Sequence, residues 1–171
     1  MKFQRWSDNS VQFETCSPEE TKSLGVMAGR CAYPGLCLLL FGGLGMGKTQ
    51  FTQGVGAELG VKNVKSPTFI LIAEHEGRLP LIHADLYRLA AQDVEPLALE
   101  DYMSDGCLLV VEWAERWASR PDCDCWNICF SADGSDDCAR TVRLSALGEK
   151  ASGALDRLCD LYGEKNDSTW N

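Results

Sequence analysis

Gly35-Leu-Cys-Leu-Leu-Leu-Phe-Gly-Gly-Leu-Gly-Met-Gly-Lys-Thr49 decides how the rest of the chain is to be read. Its first half, Leu36 to Phe41, is apolar without alternation, the pattern of a strand covered on both faces. Its second half, Gly42 to Thr49, fits G-x-x-x-x-G-K-[ST]. The match sits where the chemistry needs it, after a buried strand and before a helix expected from Lys48 to Leu59 and stopped by Gly60. Across Gly42, Gly43, Leu44, Gly45, Met46 and Gly47 the glycines let the backbone curl, so that its N–H groups face phosphate oxygens. Lys48 is a point charge for the terminal phosphates. Thr49 opens the helix and offers a hydroxyl to Mg2+, an ion that prefers oxygen ligands. The helix N-terminus adds its positive dipole end.

Before this stretch, Val11 to Thr15 alternates as a strand. Ser17-Pro18-Glu19-Glu20 then has the form of a helix start, with Ser17 as N-cap, Pro18 in the first helical position and Glu20 completing a capping box. That helix is expected to reach about Arg30. Gly25 and Gly29 share one of its faces, which suits close packing on the sheet or close approach to a ligand. After the loop, Phe69 to Glu74 and Leu81 to Tyr87 read as strands joined by a short Glu76-Gly77-Arg78 link, an antiparallel hairpin. A polar helical stretch covers Asp93 to Met103. Cys107 to Val111 is a second continuous apolar strand, ending on Glu112. Trp126 to Phe130 and Arg140 to Leu144 form a closing hairpin, Ala151 to Tyr162 a last helix, and Gly163 to Asn171 a frayed end. With helices between the apolar strands, the expected class is α/β: a P-loop NTPase-type three-layer sandwich with a mixed, centrally parallel sheet of about seven strands. We expect a single domain over 1–171, with a motif-bearing core at about 11–147 and a C-terminal helix and tail over 148–171.

The 171 residues suit one domain. No run reaches the roughly 18 apolar residues of a membrane helix, and the N-terminal residues lack the apolar core of a signal peptide, so the expected location is the cytoplasm. The net charge of −9 argues against direct holding of DNA or RNA by phosphate neutralisation. Nine cysteines cannot all pair within one chain. Cys123, Cys125, Cys129 and Cys138 are clustered, but their spacing matches none of the usual zinc patterns. Cys125 and Cys129 alternate with Trp126, Ile128 and Phe130 as on a strand, and we read these thiols as small apolar residues.

A phosphate-binding loop needs an acid at the end of a neighbouring strand. Glu112 is favoured as the metal-linked acid, because the continuous apolar strand it ends belongs beside the strand that leads into the loop. Asp85, on one face with Leu81, His83 and Tyr87, would act on Mg2+ or on the attacking water; its alternative is an ion pair with Arg88. Ser66 and Thr68 flank the rigid Pro67 and form either a sensor of the terminal phosphate or a strand-entry turn. Trp113 follows the candidate acid, facing the site or packing at the strand end. His75 and His83 stand too isolated to be proposed as ligands.

Thr21-x-x-Leu24-Gly25, Gly42 to Thr49, Val64-Lys-Ser-Pro-Thr-Phe69, His83-Ala-Asp-Leu-Tyr-Arg-Leu89, Glu100-Asp-Tyr102 and Val111-Glu-Trp-Ala-Glu-Arg116 occur in order and at fitting distances. Together, from about Thr15 to Leu144, they resemble the TsaE (YjeE) family of bacterial P-loop ATPases needed for threonylcarbamoyladenosine formation on tRNA. The resemblance implies an ATP hydrolase that is weak alone, uses ATP and Mg2+, and works with the TsaB–TsaD pair, touching tRNA only through that complex. It places Thr49 and Glu112 on Mg2+, Lys48 on the phosphates and Asp85 in the catalytic neighbourhood. Thr68 becomes switch-like, Trp113 lies near the nucleotide, and the helix around Ser17 and Thr21 approaches the adenine. Arg140 falls where the family often has an arginine after the late turn. The cysteine-rich 121–138 segment and the tail after Leu147 are not part of the likeness. Two other functions suit a phosphate-binding loop. A small-molecule kinase needs an arginine-rich lid, for which Arg116 to Arg120 is too short. A nucleotide-dependent assembly module needs no hydrolysis.

Overall fold

The computed structural model describes residues 1–120, 122–132 and 139–167. In chain order these form β1 (Lys2–Ser7), β2 (Ser10–Thr15), α1 (Pro18–Cys31), β3 (Cys37–Phe41), α2 (Lys48–Glu58), β4 (Ile72–His75), β5 (Leu81–Asp85), α3 (Leu99–Ser104), β6 (Leu108–Glu112), β7 (Cys125–Ala132), β8 (Arg140–Leu147) and α4 (Glu149–Asp167), with short 3-10 turns at Ala91–Asp93, Glu95–Leu97 and Ala114–Arg116. The strands join in one eight-stranded sheet, ordered β1-β2-β8-β7-β3-β6-β5-β4. β3 lies parallel to both β6 and β7, and β5 lies parallel to β6. The remaining pairs are antiparallel. The sheet is mixed and parallel at its centre, as its two unbroken apolar strands require.

β3 shows why that centre is dry. Leu38 and Leu40 point to one side, into a core shared with Leu24 of α1, Phe51 and Val55 of α2 and Leu155 of α4. Cys37 and Leu39 point to the other side, against Leu86, Leu99 and Trp117. Helices thus cover both faces, which makes three layers. Burying each large apolar side chain contributes about 1.5–3 kcal/mol.

The eighth strand is β1, which the alternation in the sequence does not announce. It is an edge strand with five of its six residues exposed. Phe3 turns inward, its ring 5.1 Å from that of Phe13 and 5.2 Å from that of Tyr162. The apolar run from Phe69 is not a strand at its start. Pro67 O accepts from both Ile70 N and Leu71 N, Leu71 has φ +68°, and β4 begins only at Ile72. Phe69 and Ile70 lie exposed on this turn. The expected polar helix over 93–103 is instead two 3-10 turns and the six-residue α3. Ala98 between them takes a left-handed conformation that a continuous helix cannot contain. α4 does not end near Tyr162 but runs through Gly163 to Asp167. Gly25 and Gly29 face α2 rather than the sheet. A Cβ on Gly25 would strike the Phe51 carbonyl, and one on Gly29 would crowd Val55, so both serve the contact between α1 and α2. Cys125 and Cys129 lie on β7; Cys138 lies outside the described residues.

Candidate functional site

The site is built where three parallel strands stop together. Leu40 pairs with Glu112, and Asp85 pairs with Glu112 on its other side, so both acids stand level with the end of β3. β6 does lie directly beside β3, the placement its continuous apolar pattern predicts. From Phe41 the chain enters the glycine loop, which a left-handed backbone makes possible. Gly42 has φ +132°, and a Cβ there would meet Phe130 O. Gly47 has φ +103° and forms the N-cap of α2 without any side-chain cap, leaving the helix N-terminus open.

Leu44, Gly45, Met46, Gly47, Lys48, Thr49, Ser66, Thr68, Asp85, Glu112 and Trp113 line one cavity of about 550 Å3. Eleven of the residues singled out in the sequence therefore meet, although up to 69 positions separate them. Lys48 is nearly buried, and its ammonium donates to Gly42 O at 2.5 Å and Gly43 O at 2.8 Å. The same ammonium lies 4.1 Å from the Trp113 ring centroid. Burial lowers the Lys48 pKa from its ordinary value, while Glu112, Glu115 and Asp85 oppose that shift. Thr49 Oγ1 donates to Glu112 Oε2 at 3.0 Å. A hydroxyl and a carboxylate that converge at the foot of a glycine loop are hard oxygen donors of the kind Mg2+ takes. The donor set and the open helix end fit a nucleotide with its metal.

Asp85 makes no ion pair with Arg88, whose guanidinium stacks on Phe69, 4.3 Å from the ring centroid. Its Oδ2 accepts from Ser66 Oγ at 2.5 Å and Thr68 Oγ1 at 2.6 Å, and its Oδ1 accepts from Tyr87 N at 3.1 Å. Of the two readings of Ser66-Pro67-Thr68, the turn is observed, and both hydroxyls of the segment are tied to a cavity carboxylate.

Five positions stand outside the cavity lining. Gly42 and Gly43 present carbonyls to Lys48. Ser17 Oγ is taken up in capping α1, accepting from Glu20 N at 3.2 Å. Thr21 is buried, its hydroxyl bonded to that of Thr15 at 2.9 Å and its methyl placed against Gly47. Arg140 donates to Gly45 O at 3.5 Å, from the rim of the loop. Pro18, Gln50 and Tyr87 line the cavity without having been singled out; Tyr87 was signalled by its parity with Asp85. The largest omission is His83. It is fully buried, and its Nε2 stands 2.9 Å from Glu112 Oε1. In the sequence it looked isolated because its partner is 29 positions away.

A family model described as threonylcarbamoyl adenosine biosynthesis protein TsaE matches residues 15–142. The tRNA threonylcarbamoyladenosine biosynthesis protein TsaE of Bacillus subtilis is 36% identical over 142 residues, covering 82% of this chain and 88% of that protein. Its namesake from a Nostoc species is 40% identical over 121 residues, covering 67% of this chain and 74% of that protein. Among solved structures, that of Bacillus subtilis YdiB superposes with a TM-score of 0.76 at 31% identity, covering 88% of this chain and 95% of the other.

Proposed function

This chain belongs to the TsaE family of tRNA threonylcarbamoyladenosine biosynthesis proteins, and we propose that its part in that modification is Mg2+-dependent ATP hydrolysis. One observation carries the reading. Thr49 and Glu112, 63 positions apart, meet at 3.0 Å directly under the glycine loop. No core needs a buried carboxylate there, since an ionised group away from water is costly unless it is paired. A site for a divalent cation beside phosphates accounts for it.

Each residue then has its work. The loop N–H groups and the α2 N-terminus bind phosphate oxygens. The Lys48 ammonium, held by two carbonyls of its own loop, is within reach of phosphates seated there. Thr49 and Glu112 would hold Mg2+, directly or through water, and the ion would supply charge neutralisation at the transferring phosphoryl group. Asp85 stands beside Glu112 on the cavity wall, where it can orient a water or take its proton, while Ser66 and Thr68 hold its carboxylate in place. Trp113 flanks Lys48 and offers a flat apolar wall to the nucleotide.

We further propose that hydrolysis serves TsaB and TsaD. The net charge of −9 suits a component that leaves tRNA to another subunit. Reconstitution of the modification with TsaB, TsaD and tRNA tests this, with and without this chain. Phosphate release should rise when the pair is added, and Glu112→Ala should leave the first round of modification but abolish later rounds. If Glu112→Ala sustains many rounds, hydrolysis is not the function.

A further inference from the structure

We infer that His83 is a positioning residue for the metal-binding carboxylate: its imidazole holds Glu112 in the orientation that presents Oε2 to the cation. This rests on the proposed Mg2+–nucleotide reading of the site.

Glu112 is nearly buried, and its two oxygens are used differently. Oε2 faces the cavity side and receives the Thr49 hydroxyl at 3.0 Å. Oε1 turns inward, where it meets His83 Nε2 at 2.9 Å and, at 3.5 Å, the Thr52 hydroxyl. The imidazole is thus the close partner of the oxygen that does not face the cation. A carboxylate that binds a metal only accepts hydrogen bonds, so Nε2 is the donor.

The surroundings make a purely structural role hard to sustain. The other β5 residues before Asp85 are Leu81, Ile82 and Ala84, and all are buried apolar side chains. His83 is itself 0% exposed, and its Nδ1 is buried without a hydrogen-bond partner. An unmade hydrogen bond on a buried polar atom is costly. Among the polar groups of the described residues, the ring is tied to Glu112 alone. A strand that needed only packing would be served better by leucine. Imidazole at this point gives the carboxylate a fixed donor behind it, the arrangement by which outer partners orient metal ligands. The parallel register makes the contact: Asp85 pairs with Glu112, so His83, two residues earlier on the same face, lies diagonally behind the carboxylate.

The test is the affinity of a non-hydrolysable ATP analogue, measured by calorimetry with Mg2+ and with EDTA, for wild type, His83→Leu and His83→Gln. The gain in affinity on adding Mg2+ is the readout, since a packing defect alone has no reason to act only when the metal is present. In His83→Leu that gain should fall by about 10-fold or more, with metal-free affinity nearly unchanged. His83→Gln, which keeps an N–H donor at similar reach, should recover most of it. A gain retained in His83→Leu, or lost equally in folded His83→Gln, overturns the inference. If His83→Leu does not fold, His83→Gln decides alone: a wild-type-like gain supports the assignment, and a loss of about 10-fold or more removes it. A wild-type protein without any Mg2+ gain overturns the reading of the site itself, a distinct result.

Discussion

Lys48 lies between two carbonyls, an indole face and three more distant carboxylates, and each of these contacts makes a measurable claim. Burial depresses its pKa, while Glu112, Glu115 and Asp85 push the other way and favour the ammonium. A lysine kept charged in a nearly buried place is costly unless an anion accompanies it. We therefore expect Lys48→Ala to lower ATP affinity by 10-fold or more, since hydrogen bonds to charged groups contribute about 1.5–3 kcal/mol. Unchanged affinity in calorimetry would remove the phosphate assignment. Because the ammonium lies 4.1 Å from the Trp113 ring, a nucleotide that draws Lys48 toward its phosphates should also change the emission of that indole. The chain has five tryptophans, so the comparison must be with Trp113→Phe. The nucleotide-dependent signal should vanish in that variant while binding persists; a signal that survives places its origin in another tryptophan. Glu112 and Lys48 could be foreseen because each belongs to a local pattern, a strand end and a glycine loop. His83 could not, because nothing adjacent in the chain reveals that parallel pairing sets it behind Glu112.

α1 and α2 show how an element boundary can be legible while its partner is not. Ser17, Pro18 and Glu20 act within a single turn, and the helix begins where they place it, at Pro18. The role of Gly25 depends instead on α2, which no local pattern names. A Cβ on Gly25 would strike Phe51 O, and one on Gly54 would strike Lys22 O, so two backbones touch through glycines on both sides. Gly54→Ala should cost about 3 kcal/mol by overpacking, lowering Tm by roughly 6–12 °C for a chain of this size. Gly153→Ala is the opposing case. That glycine lies within α4, and an added Cβ would meet only Arg157 Nη1 at 4.0 Å. Alanine there should stabilise by about 0.5–1 kcal/mol, so calorimetric scans of the two variants should move in opposite directions. A Gly54→Ala protein with the wild-type Tm would show that the helices can separate freely. The segment after Pro67 misleads for a related reason. Phe69-Ile70-Leu71 has the composition of a strand, yet the hydroxyls of Ser66 and Thr68 bind Asp85 and hold the chain in a turn. Long-range hydrogen bonds prevail over local propensity there.

The family-model match ends at residue 142, before α4 begins, and one consequence is that α4 can be mistaken for an appendage. The packing says otherwise. Ala151, Ala154, Leu155 and Leu158 are fully buried, and the Trp126 indole on β7 donates to Ala151 O at 2.9 Å. Farther along, the Tyr162 ring lies 5.2 Å from Phe3 and 5.4 Å from Phe13, and its hydroxyl donates to Met1 O at 2.7 Å. α4 therefore closes one face of the sheet and fastens the edge hairpin β1–β2, on strands that hold none of the cavity residues. Removing residues 149–171 would forfeit the burial of two leucines, worth about 1.5–3 kcal/mol each, and uncover the Trp126 indole that α4 shelters, a loss of at least similar size. The sum rivals the roughly 5–15 kcal/mol that holds a domain of this kind together. The shortened chain should thus lose its cooperative thermal transition and bind a hydrophobic dye, and ATP should not bind although every loop residue is still present. Leu158→Ala isolates one part of the effect and should cost about 2–5 kcal/mol, with nucleotide affinity unchanged below the lowered Tm. A shortened chain that melts cooperatively near the wild-type Tm would mean that the sheet stands without its last helix.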